Sequence, residues 1–275
     1  MAHVSKSKPH TRHTYYDANY RNFQTDVYEE IRREAFGEDI GQNSWLTSSE
    51  LDLFQSWLNL SPDKRLLDVG CGAGGPALRL ASLTGCAVTG IDLHEQAIAT
   101  ANALAVERGL ARTEFLHLSA ESKLPFPDQS FDAITCIDAI NHFSDRAQVI
   151  AEWLRILKPG GRLLFTDPLI VTGPLTHAEI AVRSSAGFYL WVPQGYDQRL
   201  IEQCGLLLLA AEDLTRNMAE IAARRRAARA SRAAVLREIE GDQAYAAQQE
   251  FLRIASILAA EARLSRYMLV AEKTL

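Results

Sequence analysis

A chain of 275 residues, 47% hydrophobic and 23% charged, carries enough apolar material for one large core with an appended subdomain, which excludes the disordered and fibrous classes. A net charge of −5 argues against a surface built to neutralise phosphate backbones. The opening MAHVSKSKPHTRH lacks the apolar run of a signal peptide, no segment offers about 18 uninterrupted apolar residues, and the four cysteines (Cys71, Cys86, Cys136, Cys204) show no C-x-x-C spacing, so the expectation is a reduced, cytoplasmic protein without membrane contact or structural metal.

Residues 1–13 read as a disordered tail and 14–60 as an N-terminal helical cap. Tyr20, Phe23, Val27, Ile31 and Ala35 recur at roughly helical spacing and predict an amphipathic helix from Tyr15 to Phe36. After the irregular GEDIGQNSW, Thr47 and Glu50 have capping-box spacing and predict a second helix. From residue 61 to 170 short β runs alternate with helices, the pattern of an α/β, doubly wound, mostly parallel sheet. Strands are expected at Arg65–Gly70, Ala87–Asp92, Thr113–Leu118, Phe131–Ile137 and Arg162–Asp167.

Between these strands, one helix has Pro76 in its first turn and stops before Gly85, and a second presents Ala97, Ile98, Ala101, Leu104 and Ala105 on one face before Gly109. A third is expected to start from Ser144 as N-cap, with Val149, Ile150, Trp153, Leu154 and Leu157 toward the sheet. Residues 171–275 supply a loose stretch, a short helix, a strand from Leu206, an alanine- and arginine-rich helical region from Met218 to about Arg263 broken at Gly241, and a final β run, RLSRYMLVAEK. The seven strands form one Rossmann-like sheet, with a late helical insertion at about 213–263 capping the site.

The stretch LLDVGCGAGGPAL, residues 66–78, reads as strand, glycine turn and helix start. Gly70, Gly72 and Gly75 satisfy G-x-G-x-x-G, and Asp92 lies about 20 residues on, so an NAD-dependent oxidoreductase is one reading. Asp68 separates the alternatives: a carboxylate at the mouth of the turn repels a pyrophosphate but stabilises an ammonium or sulfonium.

LLDVGCGAGG resembles the first motif of class I S-adenosylmethionine-dependent methyltransferases, matched by Asp68, Gly70, Gly72 and Gly74, with Cys71 inside the turn. Three further blocks follow in the family's order. VTGIDLHEQAI puts Asp92 and Leu93 where the family binds both ribose hydroxyls, although Asp92 also suits a helix cap. LSAESKLPFPDQSFDAI resembles the adenine-side segment, with Ser119, Ala120 and Glu121 in place of the frequent aspartate, and ILKPGGRLLFTDP resembles the approach to strand five. The resemblance covers about Arg65 to Pro168. It implies S-adenosylmethionine as cofactor, with Ile137 and Asp138 completing its site, Asp138 through its backbone at the methionine end.

DAINHFSD and FTDPLI resemble segments of natural-product O-methyltransferases, which implies His142 as base and Asp167 as the group that orients it; His142 as a plain pocket wall is the other reading. His94 belongs to the cofactor loop or the helix cap, and His3, His10, His13, His117 and His177 have no assigned role. Trp45, Phe188, Tyr189 and Trp191 are candidates either for an acceptor pocket or for ordinary core. The arginines at 224, 225, 226, 229, 232 and 237 spread around a helix rather than lining one stripe, which favours a solvated face or a contact in a homodimer over a nucleic-acid groove. The resemblance implies methyl transfer to nitrogen, oxygen or carbon of a small molecule, with an oxidoreductase, a nucleic-acid methyltransferase and a non-catalytic cofactor-binding subunit as rivals.

Overall fold

A computed structural model describes residues 16, 19–185 and 187–274; the expected tail at 1–13 and the helix start at Tyr15 lie outside them. Strands β1 (Arg65–Val69), β2 (Ala87–Asp92), β3 (Thr113–His117), β4 (Phe131–Ile137), β5 (Leu157–Val171), β7 (Leu206–Asp213) and β8 (Leu264–Lys273) form one sheet in the order β3-β2-β1-β4-β5-β8-β7. The pairings from β3 to β5 are parallel, and β8 runs antiparallel between β5 and β7. A two-residue β6 (Val192–Pro193), not foreseen, extends the far end of β5. The fold is thus the Rossmann-like doubly wound sheet that the alternation of elements predicts.

Alternation within each strand divides the core into two layers. Leu67, Ile134 and Phe165 face one side, where α5 (Arg146–Ile156) packs Val149, Ile150 and Trp153. Leu66, Ala133 and Leu164 face the other, against α2 (Ser48–Leu58), α3 (Gly75–Thr84) and α4 (Glu95–Glu107). Burial on both faces explains why the central strands read as continuous apolar runs. The Thr47–Glu50 capping box forms on α2, and α3 has proline in its first turn and ends at Gly85 as expected.

The N-terminal helix departs from the expectation. Residues 19–22 are helical, the chain turns at 23–25, and α1 spans Asp26–Phe36. Phe23 leaves the helical face to join Tyr20, Ala73 and Ala97, while the Arg32 guanidinium sits 4.0 Å over its ring and donates to its carbonyl at 2.7 Å. Tertiary packing overrides the periodicity there. The cap of α5 is Asp145, not Ser144, because the Ser144 amide and hydroxyl both donate to Glu121 (2.7 and 2.6 Å). Leu157 opens β5 rather than closing that helix.

After α6 (His177–Arg183) and α7 (Tyr196–Gln203), the alanine-rich region forms three helices: α8 (Thr215–Ala230), α9 (Ala233–Glu240) and α10 (Asp242–Ala260). The break at Gly241 is present, and a second falls at Ser231–Arg232. Ala35, Phe36 and Trp45 pack on Met218, Ile221 and Phe251, so the N-terminal segment and the late helices share one apolar cluster above the carboxyl ends of the strands. No helix among the described residues is long and apolar enough to cross a membrane.

Candidate active site

A cavity of ≈ 230 Å³ opens beyond the carboxyl ends of β1, β2 and β4, where open α/β sheets bind ligands. Asp68, near the end of β1, is buried; Thr135 donates to its Oδ1 at 2.8 Å, and its Oδ2 has no partner among the described residues. Burial pushes its carboxyl up to about 7, against the Thr135 hydrogen bond and with added repulsion from Asp92. Asp92 closes β2. Its Oδ2 accepts the Gly72 amide and its Oδ1 the His94 amide, both at 2.9 Å, and burial raises its carboxyl despite them. Asp92 therefore braces the glycine turn against the next helix while one edge still lines the cavity.

Gly70, Cys71, Gly72, Leu93, Ser119, Ala120, Glu121, Ile137 and Asp138 line the same cavity. Gly74, expected among the cofactor residues, does not. It has φ 78°, and a Cβ there would meet Ala101 at 2.9 Å and Phe115 at 3.0 Å, so it lets the turn pack against α4 and β3. Gly75 is needed for another reason: a Cβ would lie 2.3 Å from the carbonyls of Ile40 and Gly41, so its bare backbone seats the N-terminal loop. The Ser119 hydroxyl accepts the Glu121 amide at 3.3 Å, and Glu121 is engaged by Ser144.

Asp138 was expected to act through its backbone, and its amide donates to Thr166 Oγ1 at 2.8 Å. It sits at φ 54°, its Oδ1 accepts Thr166 Oγ1 (2.7 Å) and Arg266 Nε (2.7 Å), and its Oδ2 accepts the Trp45 amide (2.8 Å). Arg266, on β8, also donates to Glu50 of α2 at 2.8 Å. One carboxylate thus ties β4, β5, β8 and the N-terminal loop together at the cavity rim.

His142 borders this cavity and a second chamber of ≈ 70 Å³. Its Nδ1 lies 3.2 Å from the Phe188 carbonyl and its Nε2 3.2 Å from the Tyr16 hydroxyl, itself 3.2 Å from the Tyr189 hydroxyl. A carbonyl only accepts, so Nδ1 carries the proton in the neutral ring and Nε2 keeps its lone pair.

The expected helper of His142 is elsewhere. Asp167 is fully buried and accepts from Arg146 at 2.6 Å and from the Leu169 amide at 2.9 Å; it lines neither cavity. Arg146 also holds Asp197 at 2.7 Å. Burial and the Asp197 charge raise the Asp167 carboxyl against the pull of Arg146. Asp167 is an internal tie between β5, α5 and α7, and the group beside His142 Nδ1 is the Phe188 carbonyl instead.

Among the expected acceptor residues, Phe188 lines the first cavity at 40% exposure, and Trp45 and Tyr189 line the second chamber. Trp191 lines neither and packs against Leu169, Ile254 and Leu258. Trp45 stacks on Phe251 (6.4 Å, 9°). Sequence reasoning missed Tyr16, Tyr20, Asn43 and Ser44 on the first cavity and Arg183 and Arg225 on the second. The tyrosine hydroxyls, four residues apart on an otherwise apolar helix face, were the available signal. The arginine run is largely spent within the chain: Arg229 pairs with Glu240 (2.6 Å), Arg232 with Glu30 and Glu34 (3.0 and 2.7 Å), Arg237 with Asp242 (3.1 Å), and Arg225 faces Trp45.

A doubly wound sheet with a carboxylate-lined cavity beyond its strand ends is an arrangement in which nucleotide-like cofactors bind. Residues 67–165 match the methyltransferase domain family. The 27-O-demethylrifamycin SV methyltransferase of Amycolatopsis mediterranei is 30% identical over 202 residues, covering 69% of this chain and 74% of that protein. Methyltransferase GfsG of Streptomyces halstedii is 33% identical over 169 residues, and the match spans 57% of this chain and 60% of that protein. Among solved structures, the [4+2]-cyclase SpnF superposes with a TM-score of 0.76 at 25% identity, over 96% of this chain and 95% of the other.

The chain belongs to the methyltransferase domain family. It is an S-adenosylmethionine-dependent methyltransferase acting on a small molecule, and the nicotinamide and nucleic-acid readings receive no support.

Proposed function

We propose that this enzyme methylates an oxygen atom of a small acceptor, with His142 as general base. The observation that carries this is the polarity of the imidazole: Nδ1–H is held by the Phe188 carbonyl, and the basic Nε2 faces the border of the two cavities. The first cavity fits the cofactor chemically, because the Asp68 carboxyl, with one oxygen unpartnered among the described residues, suits an ammonium, Asp92 keeps an edge toward the cavity, and Ile91, Leu118 and Phe143 give apolar walls for a base. S-adenosylmethionine supplies a methyl group on a sulfonium sulfur, which keeps the bonding electron pair.

Asp68 would neutralise the ammonium, and the remaining lone pairs of Asp92 would accept the ribose hydroxyls. Cys71, Leu93, Ser119, Ala120 and Ile137 would shape the surrounding wall. The acceptor hydroxyl takes the place of the Tyr16 hydroxyl at His142 Nε2 and surrenders its proton there, in the second chamber walled by Trp45 and Tyr189. We infer that the enzyme works in the cytoplasm, as a monomer or homodimer, without nucleic acid or membrane.

His142→Ala should lower kcat by about 10²- to 10⁴-fold, the usual worth of a general base, with the S-adenosylmethionine Kd unchanged by calorimetry and the product methylated on oxygen. Unchanged turnover would remove His142 from the chemistry.

A further inference from the structure

Arg146, the first residue of α5, is 1% exposed and divides its guanidinium between two tasks. Its Nη1 donates to Asp167 at 2.6 Å and to Asp197 at 2.7 Å. Its Nη2 donates to the Leu190 carbonyl at 3.1 Å. One nitrogen thus anchors the arginine, and the other reaches into the segment between α6 and β6. The planar fork of a guanidinium fixes the direction of the second donor once the first is held.

Leu190 is tied at both of its backbone groups. Its amide donates at 2.7 Å to the carbonyl of Asn141, which shares a 3₁₀ turn, Ile140–His142, with His142. Two residues before Leu190 stands Phe188, whose carbonyl lies 3.2 Å from His142 Nδ1. The Phe188 side chain is 40% exposed, while Tyr189 and Trp191 pack against Leu169, Ile254 and Leu258. Packing therefore holds side chains of the segment, whereas the hydrogen bonds at Leu190 set the tilt of its peptide planes.

We propose that Arg146 is a positioning residue for methyl transfer. It holds the Leu190 carbonyl and, through the backbone of residues 188–190, the Phe188 carbonyl that keeps the proton on His142 Nδ1. Asp167 and Asp197 then act on the base at one remove, by aiming Arg146. With the Phe188 carbonyl turned away, the ring proton is free to sit on Nε2, the nitrogen that has to take the proton of the acceptor. This rests on His142 as general base and adds what holds that base in its working form.

The test reads the His142 tautomer directly, by nitrogen NMR of protein labelled in its histidine rings at about pH 8, where a free imidazole is neutral. Difference against His142→Gln assigns the signal. The wild type should show Nδ1–H, and hydrogen exchange should find the Leu190 amide protected like those of the sheet. Arg146→Lys keeps a charge beside Asp167 and Asp197 but has no second arm for Leu190. It should speed exchange at Leu190 and admit the Nε2–H form. Transfer of methyl label from S-adenosylmethionine into a small-metabolite extract should slow about 10-fold, the worth of one hydrogen bond holding the base. S-adenosylhomocysteine affinity should stay as in the wild type.

Arg146→Lys that keeps Nδ1–H and the wild-type rate overturns the role of Arg146 and leaves His142 as base. A parallel loss of S-adenosylhomocysteine affinity also overturns it, since the variant has then loosened the site as a whole. Nε2–H in the wild type removes both readings. If Arg146→Lys fails to fold, the wild type decides: a Leu190 amide that exchanges like an open loop means that the segment is not pinned, and the inference falls.

Discussion

At the scale of single residues, burial gives Asp68 its working chemistry. Its carboxyl is raised to about 7, so in the ligand-free protein the neutral form is favoured below that value. A folded pKa above the unfolded one means that this group's stabilising contribution is complete at acid pH and is lost as pH rises through about 7. A bound ammonium reverses the preference, because it needs the charged form. S-adenosylmethionine affinity should therefore fall by up to about tenfold per pH unit below about 7, in a range where the ligand's α-amino group stays protonated. Asp68→Asn should bind more weakly and lose that slope. Calorimetric titrations across the window decide it, and a flat wild-type profile would remove Asp68 from the ammonium.

The place of Asp68 and Asp92 on the cavity was legible in the sequence because local strand-turn-helix units set it. Asp167 was misread because its surroundings come from Arg146 and Asp197 on other elements. Arg183 and Arg225 were illegible for the same reason: an arginine in a helix, alone or within a run, does not announce which cavity the tertiary fold turns it toward.

At the scale of elements, most β runs of the sheet were readable within a residue or two, since each is a local apolar pattern bounded by glycine or polar turns, but β5 runs from Leu157 to Val171, well beyond the expected Arg162–Asp167 at both ends. The cap was less so. Its N-terminal helix breaks where Phe23 turns inward, and its loop is positioned by backbone contact with a helix that follows β1. Gly75 thus satisfies the dinucleotide glycine pattern in letters while serving the seat of residues 38–46 in space. Gly75→Ala forces a methyl against the carbonyls of Ile40 and Gly41 and should cost about 1–3 kcal/mol, as overpacking does. Because that loop carries Asn43 and Ser44 to the cavity and the Trp45 amide to Asp138, cofactor affinity should fall together with Tm. A lowered Tm with unchanged Kd would show that the loop can shift without disturbing the site.

At the scale of the whole molecule, the order of strands prevents the cap from acting as a separate body. Helices α8, α9 and α10 leave the sheet from its edge strand β7 and return through β8, which lies inside the sheet between β5 and β7. Arg266 on β8 joins Asp138 and Glu50, and Glu50 also accepts from Asn217 of α8 at 2.9 Å, so the buried polar cluster crosses from core to cap. Losing one layer would strand charges in the other, a cost of about 3–5 kcal/mol for a broken buried pair. Unfolding should therefore be a single transition: tryptophan fluorescence, with Trp45 in the cap and Trp153 in the core, should follow the same urea curve as far-UV circular dichroism. S-adenosylhomocysteine at 100 times its Kd should add about 2.7 kcal/mol and move both curves together, with a rise in Tm of roughly 5 °C. Separate midpoints, with the ligand shifting only one of them, would mean that the cap folds independently and that the cavity belongs to the core alone.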